Sequence, residues 1–439
     1  MKYRLTCLLL LFLTIESVSE AQTSLPFCIS GRFAEYDLFS DAAIDYHEEI
    51  VYAQKNNYLG QPVDLTLNVY HPYNVIDPLQ RRPLVVFLPG NEWITASKSS
   101  MKSRAIQMAR RGYTAVCMEY RSGWNYQEGG LCGGNTYQLS TAMYRATQDV
   151  HSALQYLSVH AEPYRIDTSQ VYLIGIDAGA VTAISAGYLS NALANTLFPG
   201  FEASLGPLVN ILGSDSGRYR IRGIVSWCGA AIDTALFNTG VKIPILNLHG
   251  MKDSIMPLGI APYRYCNQVS NPYPIFFGPQ AIYQQLIAKG ICVESNYDAN
   301  GEHCFFPSLE SEVYVPHKYA CFIKNLLCDN CSTIEKISYN IQTCMDAAPL
   351  SAPMQEINEQ TIILNFGQQG LQIHANTPLS ANCSLYLYNL QGQQLASYFI
   401  EKGTQNITLF EARHWPPGIY LAALQNKGDK QIFKLHKQP

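Results

Sequence analysis

Short apolar runs alternate with longer stretches of helical periodicity from about residue 65 to residue 325. The runs are rich in β-branched residues and too short for buried helices, so they predict buried strands. They cover residues 83–88, 114–120, 171–176, 221–228, 243–249 and 291–297. Helices are predicted over residues 97–111, with Ser97 as the N-cap and Gly112 at the end, and over residues 139–160 and 281–289. Strands joined by helical crossovers favour an α/β fold, with a mostly parallel sheet covered by helices on both faces.

The pattern changes after Cys344. Residues 346–358 begin with Asp-Ala-Ala-Pro-Leu-Ser-Ala-Pro, a composition typical of a linker. Beyond it, residues 361–366, 384–390, 407–410, 419–424 and 431–435 form short alternating runs separated by turn signals. This pattern predicts a second domain, a small all-β sandwich over residues 359–439.

The first residues predict secretion. Lys2 and Arg4 precede an apolar run over residues 7–15, and Ser19 and Ala21 are small residues at the positions that a signal peptidase requires. Residues 1–21 are therefore expected to be a signal peptide, which leaves a first mature domain over residues 22–345. The apolar run is too short to span a bilayer and no later run reaches that length, so we expect no transmembrane segment.

Charge and cysteine content fit that compartment. The net charge of −4 over 439 residues offers no basic surface for nucleic acid. Twelve of the 13 cysteines follow the signal peptide, an even number in an oxidising compartment, so disulfides are expected. Cys292 and Cys304 are candidates to staple the loop between them, residues 328 and 331 to form a local structural bridge, and Cys117 and Cys228 to be free thiols.

One turn carries the main chemical signal. In residues 171–180 an apolar strand runs into Gly175-Ile176-Asp177-Ala178-Gly179, and small residues follow. This is the shape of a nucleophile elbow, in which glycines on either side of the nucleophile allow a sharp turn above the sheet. A carboxylate occupies the position at which a serine hydroxyl would be expected.

Further motifs follow in order along the chain. Residues 249–257 read His-Gly-Met-Lys-Asp-Ser-Ile-Met-Pro, with Asp253, and residues 301–305 read Gly-Glu-His-Cys-Phe, with His303. Together with residues 67–72, 120–121 and 165–167, they resemble the carboxylesterase-like members of the α/β-hydrolase superfamily over about residues 45–325. The resemblance implies the α/β-hydrolase fold, catalytic positions at Asp177, Asp253 and His303, an ester-like small-molecule substrate, and neither cofactor nor metal.

The chain departs from that family at the nucleophile and at the oxyanion segment. An aspartate that attacked an ester would give a mixed anhydride, whereas a carboxylate suits displacement at a saturated carbon. By resemblance, Gly90, Asn91 and Ala178 are the expected oxyanion-hole residues, and Glu92 and Trp93 are pocket candidates. The family's His-Gly-Gly-Gly is absent, and the charge of Glu92 would oppose an oxyanion unless its side chain points away.

Haloalkane dehalogenases and epoxide hydrolases use a nucleophilic aspartate on this fold, and Asn91 matches a halide-binding asparagine of the dehalogenases. However, Ala178 stands where the dehalogenases have tryptophan. Residues 229–242 are too few for a cap, and the longer stretch 193–220 lies in another connection.

Two functions therefore stay open. One is a degenerate, carboxylesterase-like protein with a binding or surface role. The other is an active hydrolase in which Asp177 is the nucleophile and His303 and Asp253 activate water. A structural role is open as well, because an imidazole between two carboxylates should be unusually basic and suits a salt bridge better than general-base catalysis.

The tail carries a second resemblance. Residues 385–395 (Leu-Tyr-Leu-Tyr-Asn-Leu-Gln-Gly-Gln-Gln-Leu), 417–421 (Pro-Gly-Ile-Tyr-Leu) and the basic end 430–434 resemble the C-terminal sorting domain of the type IX secretion system of Bacteroidota. The resemblance implies the type IX secretion machinery as a partner and a location outside the cell or on its surface. The alternative is an ordinary carbohydrate-binding sandwich.

Overall fold

The computed structural model describes residues 25–34, 37–125, 130, 132–209, 218–304, 308–337, 362–367, 370–375, 378–389, 394–425 and 430–437. The expected signal peptide and linker lie outside these ranges. The chain divides into two compact units, Met1–Pro349 and Leu350–Pro439.

A nine-stranded sheet forms the centre of the first unit, in the order β1-β2-β4-β3-β5-β6-β7-β10-β11. Its strands are β1 Ile44–Asn56, β2 Pro62–Pro72, β3 Arg82–Leu88, β4 Thr114–Met118, β5 Ile166–Ile176, β6 Ile221–Trp227, β7 Ile245–Gly250, β10 Val293–Asp298 and β11 Ile334–Ile337. A separate short ribbon pairs β8 Ile260–Pro262 with β9 Ile275–Phe277. β1 and β2 pair antiparallel, as do β2 and β4, and every other pairing in the large sheet is parallel. This order confirms the α/β-hydrolase fold.

Helices cover both faces of the sheet. They are α1 Lys102–Arg110, α2 Thr136–Val159, α3 Ala178–Tyr188, α4 Asn191–Leu197, α5 Phe201–Leu205, α6 Pro279–Ile287 and α7 Ser308–Leu327. Along β3, Leu84, Val86 and Leu88 belong to the core that includes α2 and α3. Val85 and Phe87 belong to the opposite core, which includes α1 and α7. Central strands buried on both faces explain why their sequences are continuous apolar runs.

The helix predicted from Ser97 begins differently. A 3-10 turn over Lys98–Met101 comes first, α1 follows, and Ser97 makes no side-chain cap. The Ser97 hydroxyl contacts the Ser99 hydroxyl at 2.7 Å instead. Short polar side chains compete in this way for local hydrogen bonds, which is why the predicted start was wrong.

The second unit is a sandwich of two antiparallel sheets, β12-β13-β16 and β15-β14-β17-β18. Its strands are β12 Ile362–Gly367, β13 Gly370–Ala375, β14 Cys383–Asn389, β15 Gln394–Ile400, β16 Asn406–Leu409, β17 Gly418–Gln425 and β18 Lys430–Lys437. Leu371 and Leu409 of the first sheet share one core with Leu385 and Leu424 of the second. The all-β prediction is confirmed, although it did not include β13 and β15.

The disulfides differ from the expected pairings. Between described residues they join Cys28–Cys328, Cys132–Cys266, Cys228–Cys304 and Cys292–Cys331, and Cys321 is disulfide-bonded as well. Cys228 is therefore not free, Cys292 and Cys304 do not pair with each other, and the cysteines at 328 and 331 have separate partners. The paired cysteines are 39 to 300 residues apart in sequence and become neighbours only in the folded chain. Cys117 is a buried free thiol. Among the described residues, no helix is both long and apolar enough to cross a bilayer.

Candidate active site

Asp177 occupies the sharp turn between β5 and α3. Its backbone has φ 52° and ψ −119°, a strained conformation that non-glycine residues rarely adopt. Gly175 and Gly179 make the turn possible. A Cβ on Gly175 would lie 2.2 Å from the Gly179 carbonyl oxygen, and one on Gly179 would lie 2.3 Å from that of Leu88. The elbow therefore projects the Asp177 side chain above the carboxyl edge of the sheet.

One carboxylate oxygen of Asp177 is held by the loop after β3. Asn91 and Glu92 donate their backbone N–H groups to Oδ2 at 2.8 and 2.7 Å. Asn91, Glu92 and Trp93 have φ values of 82°, 52° and 58°, which turn successive N–H groups toward one point. Gly90 is needed for close approach, because a Cβ there would lie 3.0 Å from Asp177 Cβ. Ala178 is the buried first residue of α3.

The second carboxylate oxygen faces the histidine. Asp177 Oδ1 lies 3.3 Å from His303 Nε2. The imidazole N–H is poorly directed at Oδ1, which accepts no well-formed hydrogen bond, so the contact is an ion pair. On its other side, His303 Nδ1 lies 2.8 Å from Asp253 Oδ2. The structure thus brings Asp177, His303 and Asp253 together in one line.

Asp253 is fixed by its own turn after β7. Its Oδ1 accepts the backbone N–H groups of Ile255 and Met256, each at 2.8 Å. The loops that carry Asp253 and His303 are also joined directly, because Lys252 donates its N–H to the Gly301 carbonyl at 2.8 Å. Since these groups are bound on several sides, the Asp253–His303 pair is held firmly in position.

The electrostatics of this line favour an imidazolium. Burial alone would lower the pKa of His303, but its contacts with the Asp177 and Asp253 carboxylates outweigh burial and raise the pKa to about 10. His249 differs, because burial lowers its pKa to about 4, and its Nε2 lies 3.1 Å from the Met256 carbonyl. At neutral pH His303 is therefore a cation between the Asp177 and Asp253 side chains.

The Glu92 and Trp93 side chains have partners of their own. The Glu92 side chain accepts the Tyr263 hydroxyl at 2.7 Å and forms an ion pair with Arg264. The Trp93 indole is fully buried and donates its N–H to the Thr182 hydroxyl at 3.2 Å. The Glu92 side chain is thus paired with a cation, and Trp93 is a core residue.

A disulfide beside the histidine completes the site. Cys304, next to His303, is bonded to Cys228 at the end of β6. Neither this bridge nor the Glu92–Arg264 pair had a local signal in the sequence, since the partners are 76 and 172 residues apart. Asp177 is only 4% exposed, and its Oδ1 is closed to solvent.

The sheet order and the elbow define a protein of the α/β-hydrolase fold. Residues 67–278 match the family model described as BD-FAE. A 129-residue stretch, 29% of this chain, is 25% identical to the probable isoprenylcysteine alpha-carbonyl methylesterase ICMEL1 of Arabidopsis thaliana. The match spans 23% of the length of that protein.

Solved esterases are similar at lower identity. Thermogutta terrifontis esterase 2 phosphorylated by paraoxon is 16% identical with a TM-score of 0.45, over 66% of this chain and 96% of that one. Esterase B from Lactobacillus rhamnosis HN001 is 15% identical with a TM-score of 0.42, over 67% and 89% of the two chains.

Proposed function

We propose that this protein is a secreted, esterase-like α/β-hydrolase-fold protein that binds a small ester-like molecule or a surface ligand without hydrolysing esters. The observation that carries the proposal is the position of Asp177 Oδ2, which accepts the N–H groups of Asn91 and Glu92. In an esterase, a pair of backbone donors at this position stabilises the oxyanion of the tetrahedral intermediate. Here the Asp177 side chain already occupies both donors.

The histidine supports the same proposal. A general base must be able to accept a proton at the working pH. The pKa of His303 is raised to about 10 by its two carboxylate neighbours, so the ring stays protonated near neutrality. Neither a hydroxyl nucleophile nor a free imidazole base is therefore available for acyl transfer.

Hydrolysis of p-nitrophenyl acetate tests this proposal. We expect the natural protein to be no faster than Asp177→Asn. Asp177→Ser should be at least about tenfold faster, because the serine frees the donors and removes one charge from His303. The double variant Asp177→Ser/His303→Ala is the control and should lose that gain. Turnover by the natural protein well above that of Asp177→Asn would refute the proposal.

One observation favours a second function. With Oδ2 held by two N–H groups, Oδ1 accepts no well-formed hydrogen bond. Once the closed site opens to a substrate, Oδ1 could attack a saturated carbon, expelling halide or opening an epoxide. The new ester would neutralise Asp177, His303 would become less basic, and an activated water could then cleave the ester. In His303→Ala, exposure to haloalkanes and epoxides should then leave an alkyl adduct on Asp177, detected by mass spectrometry of the peptide. An unmodified peptide across the panel would count against this function.

A further inference from the structure

Three metal-binding side chains meet on the edge of the large sheet, away from the elbow. Asp45 and His47 lie on β1, the edge strand, and His71 lies on β2. The register pairs Asp45 directly with His71. Residues two apart on a strand share a face, and directly opposed residues share it too, so all three side chains project from one face.

The ligand atoms are already close together. One ligand atom from each of these residues lies within 4.8 Å of the other two. Asp45 Oδ2 is 3.2 Å from His47 Nε2, and the His47 and His71 rings stack with centroids 5.4 Å apart. A bulge follows at once, because the register shifts between His47 and Ile50 and Glu49 has φ 55°. Bulges of this kind redirect the neighbouring side chains of a strand.

His71 provides the observation that points to a ligand. Its Nδ1 lies 2.9 Å from the Pro72 carbonyl oxygen, which can only accept, so Nδ1 carries the proton. Nε2 is then left with a lone pair, is buried, and has no hydrogen-bond partner. A buried acceptor without a partner is costly, and a histidine whose other nitrogen donates to a backbone carbonyl is the usual arrangement of a metal ligand.

We propose that Asp45, His47 and His71 bind a divalent transition-metal ion of the Zn²⁺ type. Two imidazoles and one carboxylate suit such an ion, and a water would complete four-coordination. Tetrahedral bonds of about 2.0–2.1 Å place ligand atoms about 3.4 Å apart, so a pair separated by 4.8 Å must approach by about 1.4 Å. Asp45 and His47 are partly exposed and can rotate to close that gap. The sequence analysis expected no metal, so this proposal differs from that expectation.

The nearby cation does not occupy the site. Arg82 Nη1 lies 3.5 Å from His71 Nδ1, on the side of the ring that does not face the metal position. Its guanidinium also forms a buried ion pair with Asp77 at 2.6 Å, which Asp77 shares with Arg32. Tyr164 packs edge-on against both histidine rings, and its contact supports the buried His71 ring. The lone pair of His71 is therefore held in one direction.

Isothermal titration of the tag-free full-length protein with ZnCl₂, after EDTA treatment and dialysis, tests the proposal. We expect one ion to bind with micromolar or tighter affinity, and Asp45→Asn/His47→Gln to weaken binding at least tenfold. These partly exposed substitutions avoid the folding risk of replacing buried His71. His160→Gln, an exposed histidine at the end of α2, is the matched control and should leave the affinity unchanged. Absence of binding below millimolar Zn²⁺, or equal affinity in the double variant, would overturn the proposal.

Discussion

At the scale of single residues, the exchange of a hydroxyl for a carboxylate at position 177 alters the protonation of its neighbour. A serine there would leave His303 with one carboxylate partner, whereas Asp177 adds a second at 3.3 Å. One unit of pKa corresponds to about 1.4 kcal/mol. The raised pKa of His303 therefore links the Asp177–His303–Asp253 contacts to the stability of the fold. The motifs predicted the three residues from sequence. The pairing of Glu92 with Tyr263 and Arg264 could not be predicted, because no local pattern links positions so far apart.

This linkage predicts a pH dependence of stability. The folded-state pKa of His303 is about 10, above its ordinary 6.5, so its stabilisation is complete below about pH 6.5 and lost as the pH rises toward 10. We expect the free energy of unfolding to fall over this window by a few kcal/mol, and to fall less in Asp177→Asn. Denaturant unfolding at several pH values measures the slope, and NMR of the imidazole follows the proton. Titration of His303 near pH 6.5 in the natural protein would show that Asp177 and Asp253 do not raise its pKa.

At the scale of elements, continuous apolar runs were sufficient to predict the central strands, because those strands are buried on both faces. β1 was not predicted, since it is an edge strand with few buried positions and carries Glu48, Glu49 and other polar residues. The predicted disulfide pairings were also wrong, because the pairing depends on which segments are neighbours in the fold. β6 and the loop after β10 lie on either side of β7, and this places Cys228 beside Cys304 with their Cα atoms 5.0 Å apart.

The Cys228–Cys304 bridge should position the histidine as well as stabilise the fold. We expect Cys228→Ala/Cys304→Ala to lower the free energy of unfolding by about 2–4 kcal/mol, as for bridges that close long loops. It should also shift the pKa of His303 from about 10 toward its ordinary value, because the freed loop relaxes from Asp177.

The double variant Cys292→Ala/Cys331→Ala is the matched control for that prediction. It removes a bridge that adjoins neither Asp177, His303 nor Asp253. This variant should therefore be less stable, but the pKa of His303 should stay unchanged. Thermal unfolding and NMR titration separate the two effects. An unchanged His303 titration without the Cys228–Cys304 bridge would show that backbone hydrogen bonds alone fix the loop.

At the scale of the whole molecule, each unit has its own core. The buried clusters of the first unit contain residues up to Leu327, and the cluster of the second begins at Leu371. Units with separate cores can in principle fold separately. This independence suits a tail whose proposed role is to direct export by the type IX machinery.

Deletion of residues 359–439 tests that role in a Bacteroidota host. The shortened protein should fold, because its cores are intact, and should accumulate in the periplasm, while the full-length chain reaches the medium or the cell surface. Immunoblots of the fractions measure the distribution, and resistance to protease shows that the retained protein is folded. Full-length Asp177→Asn is the control and should be exported normally, because its change lies in the first unit. Appearance of the folded, shortened protein in the medium would exclude a sorting role and leave the sandwich as a binding domain.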